Sequence, residues 1–248
     1  GNIALAFEQA PVTTDLSGTA PFEPRQEVLQ EAITLLNDAL STLDSTAPSG
    51  DFASNIFSIA VSDNATPIEG LRNTIHAYRA RLNLLAGNDQ AAIDAANQVD
   101  PAIQTTFSYN DQSQNPYWQE LVQSGDLALR DSLGSDLIEP GDARIDFFTD
   151  PSDATSTPNG LGIEDPDGFF TTASTPAPLF VPDEMTLIRA EAMLNQDAPL
   201  SEVVSAIDSV RTDLGPSPFG IEAELPPYSE TGRPMTEAAL QTEILRQR

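Results

Sequence analysis

Lysine and cysteine are both absent from these 248 residues, and histidine and tryptophan occur once each, as His76 and Trp118. Each absence closes a class of function. Without cysteine there are no disulfides and no thiolate metal sites, while the compartment stays open. With one histidine, any Ser-His-Asp or Cys-His arrangement rests on His76. That residue lies one position past Ile75 on a helical pattern and reads as structural. No G-x-S-x-G, Walker A or G-x-G-x-x-G motif is present; "GLGIEDPDG", residues 160–168, fails the last spacing. No cofactor is expected. Paired carboxylates can serve a glycosidase, but 38 acids select no pair, and a non-enzymatic protein is predicted.

All eleven basic residues are arginine, against 38 acids, for a net charge of −27. Nucleic-acid binding is disfavoured, because phosphate neutralisation needs a basic face this chain cannot assemble. An acidic surface repels itself in dilute buffer, and at molar salt the Debye length falls to about 3 Å. Carboxylates without lysine therefore point to a protein adapted to high salt, with an ordinary acidic extracytoplasmic protein as the alternative. No apolar run reaches the roughly eighteen residues of a bilayer-spanning helix, and no signal peptide is seen. "GNIALAFEQAP" opens in mid-fold and "ILRQR" stops inside a helical pattern, so a fragment of a longer chain is expected.

Hydrophobic periodicity predicts helices. Leu29, Ile33, Leu36, Leu40 and Leu43 share one face of the first, with Pro24 at its start. Leu71, Ile75, Tyr78, Leu82 and Leu85 define a second, closed by Gly87. A third buries Ala92, Ala96 and Val99 and is stopped at Pro101. Residues 49–70 show no clear period. Residues 101–182 are rich in proline, glycine, asparagine, aspartate and threonine, apart from a short helical or extended piece near "YWQELVQSGDLALRDSLG". Helices return over 183–195, 201–213 and from Thr236.

Two segments can be superposed. Arg79 falls on Arg189, Ala80 on Ala190 and Leu84 on Leu194; with one insertion, Ala92, Ala96 and Val99 fall on Val203, Ile207 and Val210. Each unit is a helix, a polar turn and a helix with small inner residues, the pattern of tetratricopeptide-like hairpins. Arg189 and Glu191 have no opposite charge three or four residues away, so tertiary or solvent partners are expected for both.

The succession of segments resembles the SusD/RagB nutrient-binding lipoproteins, closest to their compact starch-binding-associated branch. "GNIALAFEQA" is similar to their G-d-i-P segment, with Ala4 and Leu5 where proline is usual. "EVLQEAITLLNDAL" resembles their helix leading to an L-d-x-A ending, "NTIHAYRARLNLL" their N-s-L-k-l-R-l helix, and "FSYNDQSQNPYWQEL" their f-x-y…N-P passage. "GDARIDFF" resembles D-P-R-l-x-x-y/f, with Ala143 replacing proline. "EMTLIRAEAML" and "SAIDSVRTDLG" look like the closing hairpin. The resemblance covers nearly the whole chain. It implies a mainly α fold in a single SusD-like domain over 1–248: a tetratricopeptide-like helical scaffold from 1–100 and 183–248, and a loop-rich ligand-binding region over 101–182. It further implies an outer-membrane, cell-surface protein that delivers a nutrient, such as an oligosaccharide, to a TonB-dependent transporter. Anchoring through a lipidated cysteine rests on the resemblance alone, since no cysteine is in this chain. A repeat scaffold whose client is a protein is the alternative.

The binding candidates are aromatic. Trp118, Tyr117, Tyr109 and Phe107 lie together in an Asn- and Gln-rich passage. Sugars offer apolar C–H faces to rings and hydroxyls to amides, so this mixture suits a glycan. Phe169 and Phe170 in "GFFTT" form a second candidate. "IEDPDGFF" fails as an EF-hand, because Ile163 and Ser174 stand where carboxylates are needed; a Pro-Asp-Gly turn is the simpler reading, and no metal site is predicted.

Overall fold

The computed structural model describes residues 7–12, 21–54, 59–134, 138–213 and 218–248. The resemblance drawn from residues 1–6, including Ala4 and Leu5, falls outside them. Six helices form the frame: α1 (Arg25–Ser45), α2 (Pro67–Leu85), α3 (Asp89–Ala96), α4 (Pro182–Asn195), α5 (Leu200–Arg211) and α6 (Glu237–Gln247). None of the helices is long and apolar enough to cross a membrane among the described residues.

Local chemistry sets the helix ends. α2 begins earlier than its apolar period suggests, because Thr66 and Glu69 form a reciprocal capping box and Pro67 occupies the first turn. Gly87 leaves α2 at φ +77°, and its amide donates to the Leu84 carbonyl. α3 ends at Ala96, before the proline expected to stop it; a turn over 97–98 closes the hairpin. Residues 49–70, without a period, contain a short helix, Gly50–Ser54, and part of a sheet.

α2 packs on α3, and α4 on α5; the two hairpins meet through α3 against α4. Small residues make the approach possible. Ala77, Ala80, Ala92, Ala95, Ala96 and Ala192 form one buried seam with Val99, Met185 and Ile188. The second hairpin closes on α6 through Leu187, Val203, Ile207, Leu240 and Ile244. Burial of each of these larger side chains contributes about 2 kcal/mol. α1 caps the first hairpin through Val28, Leu29 and Ile33 against Leu82. Leu36, Leu40 and Leu43, expected on the same face, are only partly buried. The result is a tetratricopeptide-like solenoid, mainly α.

Among the described residues the strands, most of them two or three residues long, form three separate antiparallel sheets: β1 (Gln9–Pro11) with β2 (Phe22–Pro24); β3 (Ile59–Val61), β4 (Thr105–Phe107) and β8 (Ala177–Pro178); and β5 (Leu129–Arg130), β7 (Gly162–Pro166) and β6 (Thr149–Ser156). In the middle sheet Ala60 faces Thr106, which faces Pro178. Gly70 lets this sheet lie directly on α2. A Cβ there would stand 2.7 Å from Val61 Cγ2 and 2.9 Å from Thr105 Cγ2.

Charged side chains join the loop region to the frame. Arg211, fully buried, donates from Nη1 and Nη2 to Glu139 and from Nη1 to Glu243. Glu243, 1% exposed, also accepts from Arg233, Arg246 and Gln247. Arg144 grips Asp142 with two nitrogens and reaches the Gln247 carbonyl of α6 at 3.0 Å. Asp142 and Arg144 of the "GDAR" segment thus act as a fastener. Arg189 donates to Asn97 at the end of α3 and to Thr186 on its own helix, and Glu191 accepts from Gln241 of α6 and from Arg248 beyond it, so that each has a tertiary partner.

Candidate functional site

Asn115 organises the predicted aromatic passage. It is completely buried, and its Nδ2 donates to the carbonyls of Phe169 and Thr175, both at 2.8 Å. Its Oδ1 accepts from the amides of Tyr117 and Trp118, capping the turn Pro116–Trp118. Its own amide donates to the Ala173 carbonyl. One side chain therefore locks the 115–118 turn to the 169–175 loop. Sequence reasoning passed over Asn115 as a site organiser, although an asparagine before proline at a helix start is a readable cap signal.

With that turn fixed, Tyr117 stands 53% exposed with its ring 5.4 Å from that of Phe170. Phe107, at the end of β4, is 42% exposed and lies 6.5 Å from Tyr109. Partial burial, and then the nearby Tyr117 phenol, raise the pKa of Tyr109. Gln119 donates to Gln114 at 3.1 Å beside them. Of the four residues singled out, Phe107 and Tyr109 form one ring pair, and Tyr117 forms another with Phe170. Trp118 is half-buried and joins no ring pair among the described residues.

Beyond these pairs runs a chain of rings that the sequence only partly announced. Phe170 stacks on Phe148 at 6.1 Å and 27°, and Phe148, Phe147 and Phe169 meet edge to face. Phe169 continues to Phe219 at 5.9 Å. Phe148, Phe169 and Phe219 wall a cavity of about 390 Å³ that also exposes Asp183, Arg144 and Gln247. Arg144 is spent on Asp142. Asp183, in the first turn of α4, has its pKa raised from an ordinary 3.8 to about 6, mainly by burial and then by Asp213, against an opposing pull from Arg144. The doublets at 147–148 and 169–170 were the available signal for this cluster.

The remaining candidates have structural roles. Asp167 accepts from the Gly168 amide at 2.8 Å, making the Pro-Asp-Gly turn. Gly168 sits at φ +60°, where a Cβ would strike Phe147. No group of three or more His, Asp or Glu side chains suited to a metal occurs among the described residues. His76 is half-buried, and burial, then Arg79 and Arg72, lower its pKa. Its Nδ1 faces Arg79 Nη1 at 3.3 Å.

The sequence matches no protein-family model and no curated protein. The fold does find relatives among solved structures. A SusD-like carbohydrate-binding protein from Bacteroides vulgatus superposes with a TM-score of 0.58 at 15% identity, over 96% of this chain and 52% of that one. The protein has the SusD-like fold. A SusD homologue from Bacteroides ovatus superposes at TM-score 0.56 and 14% identity, over 89% and 51% of the two chains. NanU from B. fragilis gives 0.53 at 12%, over 96% and 61%. This SusD-like chain therefore spans about half to three-fifths of the length of those structures.

Proposed function

We propose that this SusD-like protein captures a carbohydrate nutrient at the cell surface of an outer membrane, held there by a lipid anchor, and passes it to a TonB-dependent transporter. In this reading residues 1–100 and 183–248 are the frame, and 101–182 carry the ligand. The observation that carries the proposal is the aromatic surface offered by Tyr117, exposed on a turn that the buried Asn115 locks to the 169–175 loop, and by the Phe107–Tyr109 ring pair of the same passage. A ring fixed as Tyr117 is fixed is pre-organised to stack on a sugar face, and the adjacent Gln114 and Gln119 amides offer hydrogen bonds to hydroxyls. One structural relative is itself named a carbohydrate-binding protein. The role is binding, and the ligand is an oligosaccharide.

The test is titration of a panel of neutral oligosaccharides against the fluorescence of Trp118, repeated calorimetrically with Tyr117→Ala and Trp118→Ala. A glycan bound by the wild type should lose about tenfold in affinity, 1.4 kcal/mol, in Tyr117→Ala. Equal affinities for wild type and both variants would remove this surface from the site. Co-purification of a barrel transporter from detergent-solubilised outer membranes tests the delivery step.

A further inference from the structure

Eleven arginines supply all the lysine-type and arginine-type positive charge of the chain. Eight of them hold a carboxylate within salt-bridge distance: Arg72, Arg81, Arg130, Arg144, Arg211, Arg233, Arg246 and Arg248. Arg25 is engaged as well. Arg79 and Arg189 form no salt bridge among the described residues. In each, Nε is buried without a hydrogen-bond partner. They also occupy superposable positions: each sits on the first helix of its hairpin and faces the helix before it.

Their surroundings differ. Arg79 leans on His76 in a broad groove against α1, where Asp44 is exposed and bound to Arg72. Arg189 lies in a pocket of about 260 Å³ between α3, α4 and α5. Its Nη1 donates to Asn97 at 3.2 Å and its Nη2 to Thr186 at 3.0 Å. Both acceptors are neutral, and one N–H on each terminal nitrogen remains. Buried charges are ordinarily paired, because hydrogen bonds to neutral groups do not replace the lost hydration. Burial lowers the pKa of Arg189, with no carboxylate raising it back. Asp183 borders the same pocket but stands six residues earlier on α4, about 9 Å along the axis. Neither of these two groups perturbs the other's titration. Arg189 is thus a half-buried cation without a counter-charge among the described residues, in a protein whose net charge is −27.

We propose that the pocket between α3, α4 and α5 binds a small carboxylate, a sugar acid or an organic acid of similar size, with Arg189 as the charged partner and Asn97, Thr186 and Ser209 as its polar surround. A planar guanidinium fork matches a carboxylate in shape as well as charge. The pocket volume restricts the ligand to about a monosaccharide. This site shares no lining residue with the aromatic surface, so it stands or falls independently of the glycan reading.

Glucuronate and acetate are the probes, with methyl glucoside as the neutral analogue, titrated at constant ionic strength near pH 7 and followed by amide chemical shifts of the intact chain. Saturable shifts at Asn97, Thr186 and Arg189 are expected with glucuronate and absent with methyl glucoside. Arg189→Gln should weaken glucuronate by at least about tenfold. Arg189→Lys, which keeps the charge but not the fork, should fall between. Tyr117→Ala should leave the affinity unchanged. Melting temperatures of the variants identify a misfolded one, in which case Arg189→Lys carries the test. Failure of both acids to shift these residues, equal affinity in all Arg189 variants, or displacement by chloride as effective as by acetate overturns the proposal.

Discussion

Replacing Asp183 by asparagine should stabilise the protein, and only above acidic pH. The carboxyl lies in the first turn of α4, where a helix N-terminus ordinarily favours a negative charge. Burial against the cavity wall outweighs that preference, and its pKa rises from 3.8 to about 6. Such a displacement corresponds to about 3 kcal/mol between the protonation states. Part of the side chain reaches solvent, so the expected gain is about 1–2 kcal/mol. The sign follows from proton linkage. The folded state holds this proton more tightly than the unfolded chain, so the penalty is absent below about pH 4, grows as pH rises through about 4 to 6, and is complete above. Melts of wild type and Asp183→Asn from about pH 4 to 8 should therefore diverge with pH, reaching about 2–8 °C in favour of the variant. Because burial is the largest cause, the gap should persist in molar salt. A gap independent of pH, or a less stable variant near pH 8, would refute the reasoning and make Asp183 a working partner of Arg144.

Glu243→Gln leaves Arg211 buried with one carboxylate fewer, and should cost about 3–5 kcal/mol, read as a lower denaturant midpoint. Glu139 in the same network is held at about 2, chiefly by hydrogen bonds from Arg211. Its contribution should be full above pH 4.5 and lost as pH falls toward 2, visible as a steepening of acid denaturation that Glu139→Gln abolishes. Gly70→Ala should cost about 1–3 kcal/mol by driving a methyl into Val61 and Thr105, while Gly50→Ala, with nothing within 4 Å, should not destabilise. If the acidic surface is an adaptation to salt, lowering sodium chloride should depress the melting temperature; a melting temperature indifferent to dilution removes that reading.

The frame was legible because helix periodicity is local. Ile75, Ala92, Ala96, Val203, Ile207 and Val210 announce their faces within one or two turns, and all are buried. The superposition of Arg79 on Arg189 needed only that periodicity. Boundaries were less legible: Thr66 and Glu69 extend α2 backward through a capping box, a signal outside the apolar pattern. The sheets were not legible at all. Strands of two or three residues, such as Leu129–Arg130 and Ala177–Pro178, are too short for an alternating pattern to declare itself, and the longer Thr149–Ser156 and Gly162–Pro166 are too polar and proline-bearing to show one.

The site divides along the same line. Phe107, Tyr109 and Tyr117 were readable as aromatics in a polar passage, but what sets Tyr117 beside Phe170 is Asn115 reaching residues more than fifty positions away. Its bonds go to backbone carbonyls and amides, so its partners leave no side-chain signature in the sequence. Phe148, Phe169 and Phe219 converge for the same reason, being brought together by loops and not by one element. Two of the segments that carry the family resemblance serve the frame: Arg144 of "GDARIDFF" fastens the loop to α6, and Arg211 of "SAIDSVRTDLG" ties Glu139 to Glu243. In a lysine-free chain nearly every arginine is consumed in this way, and that scarcity gives the two without a carboxylate their significance. Motifs of this kind report how the solenoid is fastened, whereas the proposed ligand contacts are rings and a cation whose neighbours are set by tertiary contact. On those proposals, substitution of Phe107, Tyr117 or Arg189 should change ligand affinity without disturbing Asp142, Arg144, Arg211 or Glu243, and the converse substitutions should loosen the fold before they alter specificity.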